Sequence, residues 1–273
     1  MKRALPGLAV NGLLCLGAAF SLLPLFWMLS VSFMRPGEAD SFPPPLLPHA
    51  PSLAAYRTLF AEQGMGRYFV NSLFLASAAT VLSLGFNVMA GYAFAKLRFA
   101  GRERLFQLLL LALVIPGQVA MIPLFLMLKD IGLVNNFGGI LVPAAASVFG
   151  IFLVRQYAQS IPDEILEAAR VDGAGEFRIF ASIVAPILQP IMVTLATFTF
   201  MGAWNDFMWP LIVLSDERLY TLPVALASLS REHVQDAELM MAGAVVTVLP
   251  VLALFIVLQR YYIRGLLAGS VKG

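Results

Sequence analysis

Residue types that perform catalysis or bind metals are rare in this 273-residue chain, and none of them occurs in a recognisable pattern. Neither His49 nor His233 has a second ligand at the spacing that a zinc site requires. The single cysteine, Cys15, cannot form an intrachain disulfide, and its place in an apolar run is typical of a packing residue. No phosphate-binding loop, metalloprotease helix motif or nucleophile elbow is present. The sequence therefore predicts no catalytic residue, no metal site and no ATP-binding site.

One carboxylate is notable for its position. Asp206 follows Trp204 and Asn205 inside a long apolar segment, and it is the only acidic residue that we place within a membrane span. A charge at the centre of a bilayer costs about 3 kcal/mol, so its side chain should face other helices or water. Tryptophan suits the membrane interface, and aromatic faces also stack on sugar rings. Two interpretations stay open: a hydrogen-bonded residue of a helix bundle, or part of a substrate path formed by Trp204, Asn205 and Asp206.

The composition is that of a membrane protein. Hydrophobic residues make up 60% of the chain and charged residues 12%, with a mean hydropathy of +0.84, whereas soluble domains carry about 25% charged residues. Several apolar segments approach the length of about 20 residues that a helix needs to cross a bilayer. We predict an all-α bundle that forms one transmembrane domain over residues 1–273. The predicted spans are Leu8–Phe33, Phe69–Ala95, Leu105–Leu128, Gly139–Tyr157, Ile187–Leu214 and Ala242–Tyr262.

The distribution of basic residues predicts the topology. With both termini in the cytoplasm, that side holds 12 of the 18 lysines and arginines, as the positive-inside rule requires. The outer segment over residues 35–67 contains Phe42-Pro43-Pro44-Pro45 and is predicted to be extended and non-helical. The outer segment over residues 215–241 is either a solvated connection or a short surface helix that contacts a partner.

A charged, helix-favouring segment separates the fourth and fifth spans. It reads EILEAARVDGAGEFRIFASIVAPILQP over residues 164–190. Asp163 is placed to cap its first helix, and Glu164 adds negative charge to the first turn. Gly173 and Gly175 are expected to end that helix, giving two short helices that meet at a glycine bend. An amphipathic loop at the membrane surface is the alternative.

The spacing in this segment resembles the EAA loop of ATP-binding-cassette (ABC) importer permeases. The family pattern is Glu-Ala-Ala, three residues, glycine, nine residues, isoleucine, one residue and Leu-Pro. The residues that match are Glu167, Ala168, Ala169, Gly173, Ile183 and Pro186. At Ala185 the family usually has leucine. Exchanging one apolar residue for another affects packing, so we keep the family assignment.

The resemblance implies that the loop over residues 158–182 docks a short helix onto a cytosolic ATPase. The residues that it assigns to this coupling contact are Glu164, Glu167, Ala168, Ala169, Arg170, Asp172 and Gly173. The tail over residues 259–273 is similar to that of the second permease in carbohydrate importers of the maltose and glycerol-3-phosphate type. It implies a further ATPase contact through Gln259, Arg260, Arg264 and Gly265. The basic residues Arg260, Arg264 and Lys272 could equally be ordinary positive-inside anchors.

The assembly that the resemblance implies lies in the bacterial plasma (inner) membrane, surrounded by lipid. It contains this chain as a heterodimer with a second homologous permease, a cytosolic ABC ATPase dimer and a periplasmic or extracytoplasmic solute-binding protein. ATP binds to the ATPase, so the chain needs no cofactor, and nothing suggests nucleic-acid binding. The solute is expected to be a sugar or a sugar-like molecule. A non-sugar solute is the alternative, and an ion-coupled secondary transporter is a more distant one, since only Asp206 offers an intramembrane ionisable group.

Overall fold

The computed structural model is all-helical over the part of the chain that it describes. The backbone is described for residues 4–232 and 236–270, and the side chains for residues 10–230 and 236–257. Lys2, Arg3, His233 and Lys272 therefore lie outside the described residues. The helices are α1 (Ala4–Ser32), α2 (Ala54–Ala61), α3 (Met65–Lys96), α4 (Arg102–Ala112), α5 (Gly117–Asp130), α6 (Gly138–Ala144), α7 (Val148–Ala158), α8 (Asp163–Val171), α9 (Glu176–Ile187), α10 (Gln189–Asn205), α11 (Met208–Val213), α12 (Leu222–Glu232) and α13 (Ala237–Ser270).

The all-α prediction is confirmed, and six spans result when each bent helix pair is counted as one. Four stretches of the described chain are long and apolar enough to cross a membrane: Val10–Ser32, Met65–Lys96, Gly138–Ala158 and Ala237–Val257. The remaining two are bent pairs, α4 with α5 at 104° and α9 with α10 at 78°. A chain with these segments crosses the membrane several times.

The predicted continuous helix Leu105–Leu128 is wrong, because the chain breaks between α4 and α5. Pro116 occupies the N-cap position of α5 with an extended ψ of 131°. Proline also disfavours a helical conformation in the residue before it, so Ile115 is a poor site for helix continuation. The result is a sharp bend within an apolar run that composition alone reads as one helix.

The predicted continuous helix Ile187–Leu214 is also wrong. Helix α10 begins at Gln189 after the bend at Leu188, with Pro190 in its first turn, where the missing amide hydrogen costs least. It ends at Asn205, because Asp206 adopts an extended conformation with a ψ of 123°. Asp206 therefore lies in a helix break and not inside a helix, and a carboxylate oxygen accepts a hydrogen bond from the backbone amide of Trp209 at 3.4 Å.

The chain divides into two compact units, and the first comprises α1, α2, the start of α3, α12 and the first half of α13. Helix α2 corrects the prediction that residues 35–67 are non-helical, while α12 gives the segment over 215–241 its short helix. Glu238, which was predicted to lie in an outer segment, is in the first turn of α13 and is 1% exposed. Its carboxylate accepts a hydrogen bond from the backbone amide of Ala39 at 2.9 Å, so Asp206 is not the sole acidic residue at a span.

The second unit comprises most of α3, helices α4 to α11 and the second half of α13. Helices α3 and α7 approach closely at Gly91, where an added Cβ would lie 2.6 Å from the Cβ of Val154. Small residues permit such close approach between membrane helices. Around this contact lies a core that extends down to α8 and α9. Its buried members are Val88, Tyr92, Val154, Ala158, Ile161, Leu166, Ile179, Val184, Leu188 and Leu195. Whether the two units act as one permease domain stays a prediction.

Candidate functional site

Helix α8 is the first half of the predicted coupling element. Asp163 and Glu164 lie in its first turn and Arg170 in its last, an order that the helix dipole favours. The predicted cap is wrong, since Pro162 occupies the N-cap position without a side-chain hydrogen bond. Asp163 is instead the first helical residue, and its carboxylate accepts a hydrogen bond from Lys96 Nζ at 2.7 Å.

The bend between α8 and α9 is a glycine-dependent helix stop. Gly173 has a φ of +81°, in the left-handed region. Its amide donates to the carbonyl of Arg170, and the amide of Ala174 donates to the carbonyl of Ala169, both at 3.0 Å. These two bonds form a Schellman motif, in which glycine is favoured at the left-handed position. Gly175 has an ordinary φ of −71°, so the predicted bend is present and depends on Gly173.

Helix α8 buries one face and exposes the other. Leu166 is 1% exposed and belongs to the core with α3 and α7. The opposite face, which we call the docking face, combines acidic and apolar side chains. Its exposed members are Glu164, Ile165, Glu167, Ala168, Val171 and Asp172, with Phe177 of α9 beside them. Val171 and Phe177 are 88% and 79% exposed, and an exposed apolar patch of this kind typically marks an interaction site.

The docking face includes four of the seven predicted coupling residues. Ala169 is half-buried, and Gly173 forms the bend. Arg170 is turned toward α9, where its Nε donates to Glu176 Oε1 at 2.7 Å. The sequence interpretation missed Ile165, Val171 and Phe177. The i, i+3 spacing of Ile165, Ala168 and Val171 is the signal that could have identified them.

Two side chains at the C-terminal end of α3, which sequence interpretation also missed, hold this element in place. The hydroxyl of Tyr92 donates to Glu176 Oε2 at 3.3 Å. Lys96 Nζ donates to the carbonyl of Ile161 at 2.5 Å and to the Asp163 carboxylate at 2.7 Å. The side chain of Lys96 is 7% exposed although it carries a charge. Its ammonium group thus compensates the unpaired carbonyls that follow α7.

The Lys96–Asp163 pair has a defined pH dependence. The hydrogen bond from Lys96, with its positive charge, holds the pKa of Asp163 below its usual value. A carboxylate with a lowered folded-state pKa adds stability above its unfolded pKa. That contribution is lost as the pH falls through the lowered pKa. The pair is therefore intact at neutral pH.

Replacing Lys96 with methionine is expected to leave the chain in the membrane but to weaken coupling. Methionine keeps most of the apolar stem, whereas the carbonyl of Ile161 and the carboxylate of Asp163 lose their buried donor. In the complex that the EAA resemblance implies, stimulation of ATP hydrolysis by loaded solute-binding protein should fall several-fold. The unstimulated rate should persist. Lys96→Arg keeps the charge and should retain more stimulation than Lys96→Met, and equal stimulation in wild type and Lys96→Met would contradict this role.

The predicted substrate-path residues are separated by the structure. Trp204 is 0% exposed, and its ring stacks on Phe200 at a centroid distance of 5.9 Å. The amide of Asn205 donates back to the carbonyl of Met201 at 2.9 Å. Asp206 lines a cavity of about 420 Å³ within the second unit, together with Trp209 and the hydroxyl residue Thr199. Of the three, only Asp206 lines this cavity.

The predicted tail contact lies partly outside the structural description. The backbone of α13 is helical through Ser270, so Gln259, Arg260, Arg264 and Gly265 fall on its last turns. Their side chains lie outside the described residues. Within the described residues, no group of three or more histidine, cysteine, aspartate or glutamate residues could hold a metal ion.

The pattern of the family described as binding-protein-dependent transport system inner membrane component matches residues 87–267, more than half of the chain. The chain belongs to this family. It is thus an inner-membrane transport permease that crosses the membrane several times. The matched region includes the end of α3, the whole predicted coupling element and the break at Asp206.

Other members of this family are similar over nearly the full length. The arabinooligosaccharides transport system permease protein AraQ of Halalkalibacterium halodurans is 37% identical, with 97% of this chain and 97% of that protein covered. The lactose transport system permease protein LacG of Rhizobium radiobacter is 33% identical, over 100% of this chain and 98% of that one. A chain of a bacterial ABC transporter involved in the import of the acidic polysaccharide alginate superposes with a TM-score of 0.84. It is 26% identical, over 96% of this chain and 98% of its own.

Proposed function

We propose that this permease imports a sugar or sugar-like solute and that the docking face of α8 couples it to a cytosolic ATPase. The observation that carries the coupling proposal is the difference between the two faces of α8. One face is anchored in the core by Leu166, while the other exposes acidic and apolar side chains around Glu167. A partner that binds the exposed face of α8 can displace the helix, and the buried face then transmits this displacement to the helices packed against it.

The mechanism follows from the contacts of the second unit. A displacement of α8 is transmitted to α3 through Lys96 and to α7 through the buried core around Leu166. Helices α3 and α7 are locked together at Gly91. ATP binding closes the ATPase dimer, and the docked element shifts the bundle between inward-open and outward-open states. The tail residues Gln259, Arg260, Arg264 and Gly265 add a second contact with the ATPase.

The sugar assignment is supported by the relatives. Their names specify arabinooligosaccharides, lactose and, for a relative from Bacillus subtilis, melibiose, raffinose and stachyose. These relatives are 33–37% identical to the chain over most of its length. A sugar or sugar-like solute is therefore the proposed cargo of this chain.

The proposed assembly pairs this chain with a second homologous permease in the bacterial inner membrane. Two ATPase copies bind on the cytosolic side, and a solute-binding protein delivers cargo from outside. Both termini lie in the cytoplasm, as the excess of basic residues on that side supports. ATP is bound by the ATPase, and the chain itself performs no catalysis.

Purification tests this function directly. The tagged chain, expressed with its second permease and ATPase, should retain the ATPase in detergent and give solute uptake that requires ATP in vesicles. The chain purified by itself should neither bind nor hydrolyse ATP. Saturable, stoichiometric nucleotide binding to the isolated chain, or uptake driven by an ion gradient without ATP, would overturn the proposal.

A further inference from the structure

The cavity beside Asp206 has polar features that the coupling role does not use. Its volume of about 420 Å³ falls within the range of about 300–1,000 Å³ that is common for small-molecule sites. Ser83, Ser147, Thr199 and Thr221 contribute hydroxyl groups to its lining. Buried hydroxyl groups are costly to leave without partners, so their convergence on one cavity requires a reason.

Thr221 supplies the most direct sign of a missing partner. Its side chain is 3% exposed, and its hydroxyl has no hydrogen-bond partner among the described residues. Ser83 and Ser147, by contrast, both accept hydrogen bonds from Asn87, at 2.6 Å and 3.4 Å. Buried hydroxyls are nearly always paired, and an unpaired one that lines a cavity is typical of a position completed by a bound molecule.

The charge of the lining restricts that molecule. Asp206 is the only ionisable side chain among the residues that line the cavity. One of its oxygens accepts from the backbone amide of Trp209 at 3.4 Å, and a carboxylate can accept further hydrogen bonds from hydroxyl groups. An anionic ligand would meet a like charge there without any compensating cation in the lining, which disfavours it strongly in a medium of low dielectric constant.

Aromatic rings complete the chemistry. Phe149 and Phe198 line the same cavity and are 48% and 53% exposed. Their rings meet edge to face at a centroid distance of 6.4 Å. Exposed ring faces next to hydroxyl groups and a carboxylate suit a ligand that has both an apolar face and many hydroxyl groups.

We infer that this cavity is a subsite for a sugar unit that carries no acidic group and that Asp206 excludes acidic sugars from it. The inference rests on the proposed sugar transport and deepens it, since it places direct solute contact on this chain. The inference also predicts that the solute of this chain differs from that of the alginate importer that it resembles, whose cargo is an acidic polysaccharide. Thr221 donates to the sugar, Asp206 accepts from it, and the phenylalanine rings pack against its apolar face.

The test measures binding to the purified complex of both permeases and the ATPase, without solute-binding protein and without nucleotide. Tritiated lactose and raffinose serve as uncharged probes, and unlabelled digalacturonate and glucosamine serve as acidic and basic competitors. The wild-type complex should bind at least one uncharged probe saturably. Displacement by digalacturonate should require at least a tenfold higher concentration than displacement by the unlabelled probe or by glucosamine, whose ammonium group the Asp206 carboxylate does not repel.

Variants separate the two roles. Thr221→Val should weaken binding of the uncharged probe by about threefold to tenfold, as the loss of one hydrogen bond predicts, without changing the preference over digalacturonate. Asp206→Asn should reduce that preference at least tenfold. Asp216→Asn is the matched control, because Asp216 does not line the cavity and its side chain accepts from the backbone amide of Arg218 at 2.9 Å. This control should bind as the wild type does.

Three results would overturn the subsite: no saturable binding of either uncharged probe, stronger binding of digalacturonate than of the uncharged probes, or wild-type behaviour of both cavity variants. Uptake measured in parallel distinguishes this failure from failure of the proposed function. If ATP-driven sugar uptake persists unchanged in Asp206→Asn and Thr221→Val, the subsite is wrong and the transport function stands.

Discussion

Replacing Glu167 with lysine is expected to abolish solute uptake while leaving the amount of chain in the membrane unchanged. Glu167 lies on the docking face, and no hydrogen bond or ion pair within the described part of the chain uses its carboxylate. Exposed substitutions outside special sites usually change stability by less than about 0.5 kcal/mol. Loss of the Glu167 carboxylate should therefore weaken binding of the ATPase and leave the fold unchanged.

The size of the effect follows from the interface. Disrupting a charge pair that becomes buried on docking costs about 2–5 kcal/mol, and each 1.4 kcal/mol corresponds to about a tenfold loss of affinity. Uptake into vesicles should fall to background, and less ATPase should co-purify. Glu62→Lys makes the same charge change at an exposed residue after α2 and is the control. Normal uptake by Glu167→Lys at wild-type abundance would remove the coupling role of this face.

The sequence predicted the elements whose signals are local. Apolar length identified α1, α3 and α13, because a helix that crosses a bilayer must be long and uninterrupted by charge. The glycine bend was predictable because a Schellman stop needs a left-handed residue, and Gly173 stands at that position. In these cases the residues that determine the structure lie within a few turns of one another.

The breaks in the third and fifth spans could not be predicted from apolar length. Prolines within membrane helices are tolerated with or without a bend, since neighbouring helices can satisfy the freed carbonyl groups. Pro123 remains inside α5, whereas Pro116 marks a bend of 104°. The difference depends on tertiary packing, which a single sequence does not display.

The candidate sites divide in the same way. The docking face was found from spacing within one helix, but Lys96 and Tyr92 contact residues that are 65 and 84 positions away in sequence. Thr221 joins the cavity beside Asp206 only because distant helices converge there. A sequence motif can therefore indicate where a site is, whereas the residues that position the site lie far away along the chain and are recognised only in the structure.

Replacing Gly173 with valine is expected to abolish the stimulation of ATP hydrolysis by loaded solute-binding protein. An added Cβ at Gly173 would meet no atom within 4 Å, so the cost is conformational and not steric. The left-handed conformation costs an ordinary L-residue about 1–2 kcal/mol, and a β-branched residue is among the least tolerant. That cost favours unwinding of the last turn of α8, which would move Val171 and Asp172 out of the docking face.

Two matched variants make this prediction specific to the backbone. Gly173→Asn adds a side chain of comparable size that tolerates the left-handed conformation, so it should keep most of the stimulation. Gly175→Ala changes a glycine with a φ of −71° and open space at its Cβ, so it should behave as the wild type. ATP hydrolysis in reconstituted vesicles, with and without loaded binding protein, measures all three. If Gly173→Val retains full stimulation while Gly175→Ala loses it, the bend that transmits the motion lies at Gly175. If valine and asparagine at position 173 are equally harmful, the glycine serves close approach of the ATPase and not the turn, because only a contact surface would reject both side chains alike.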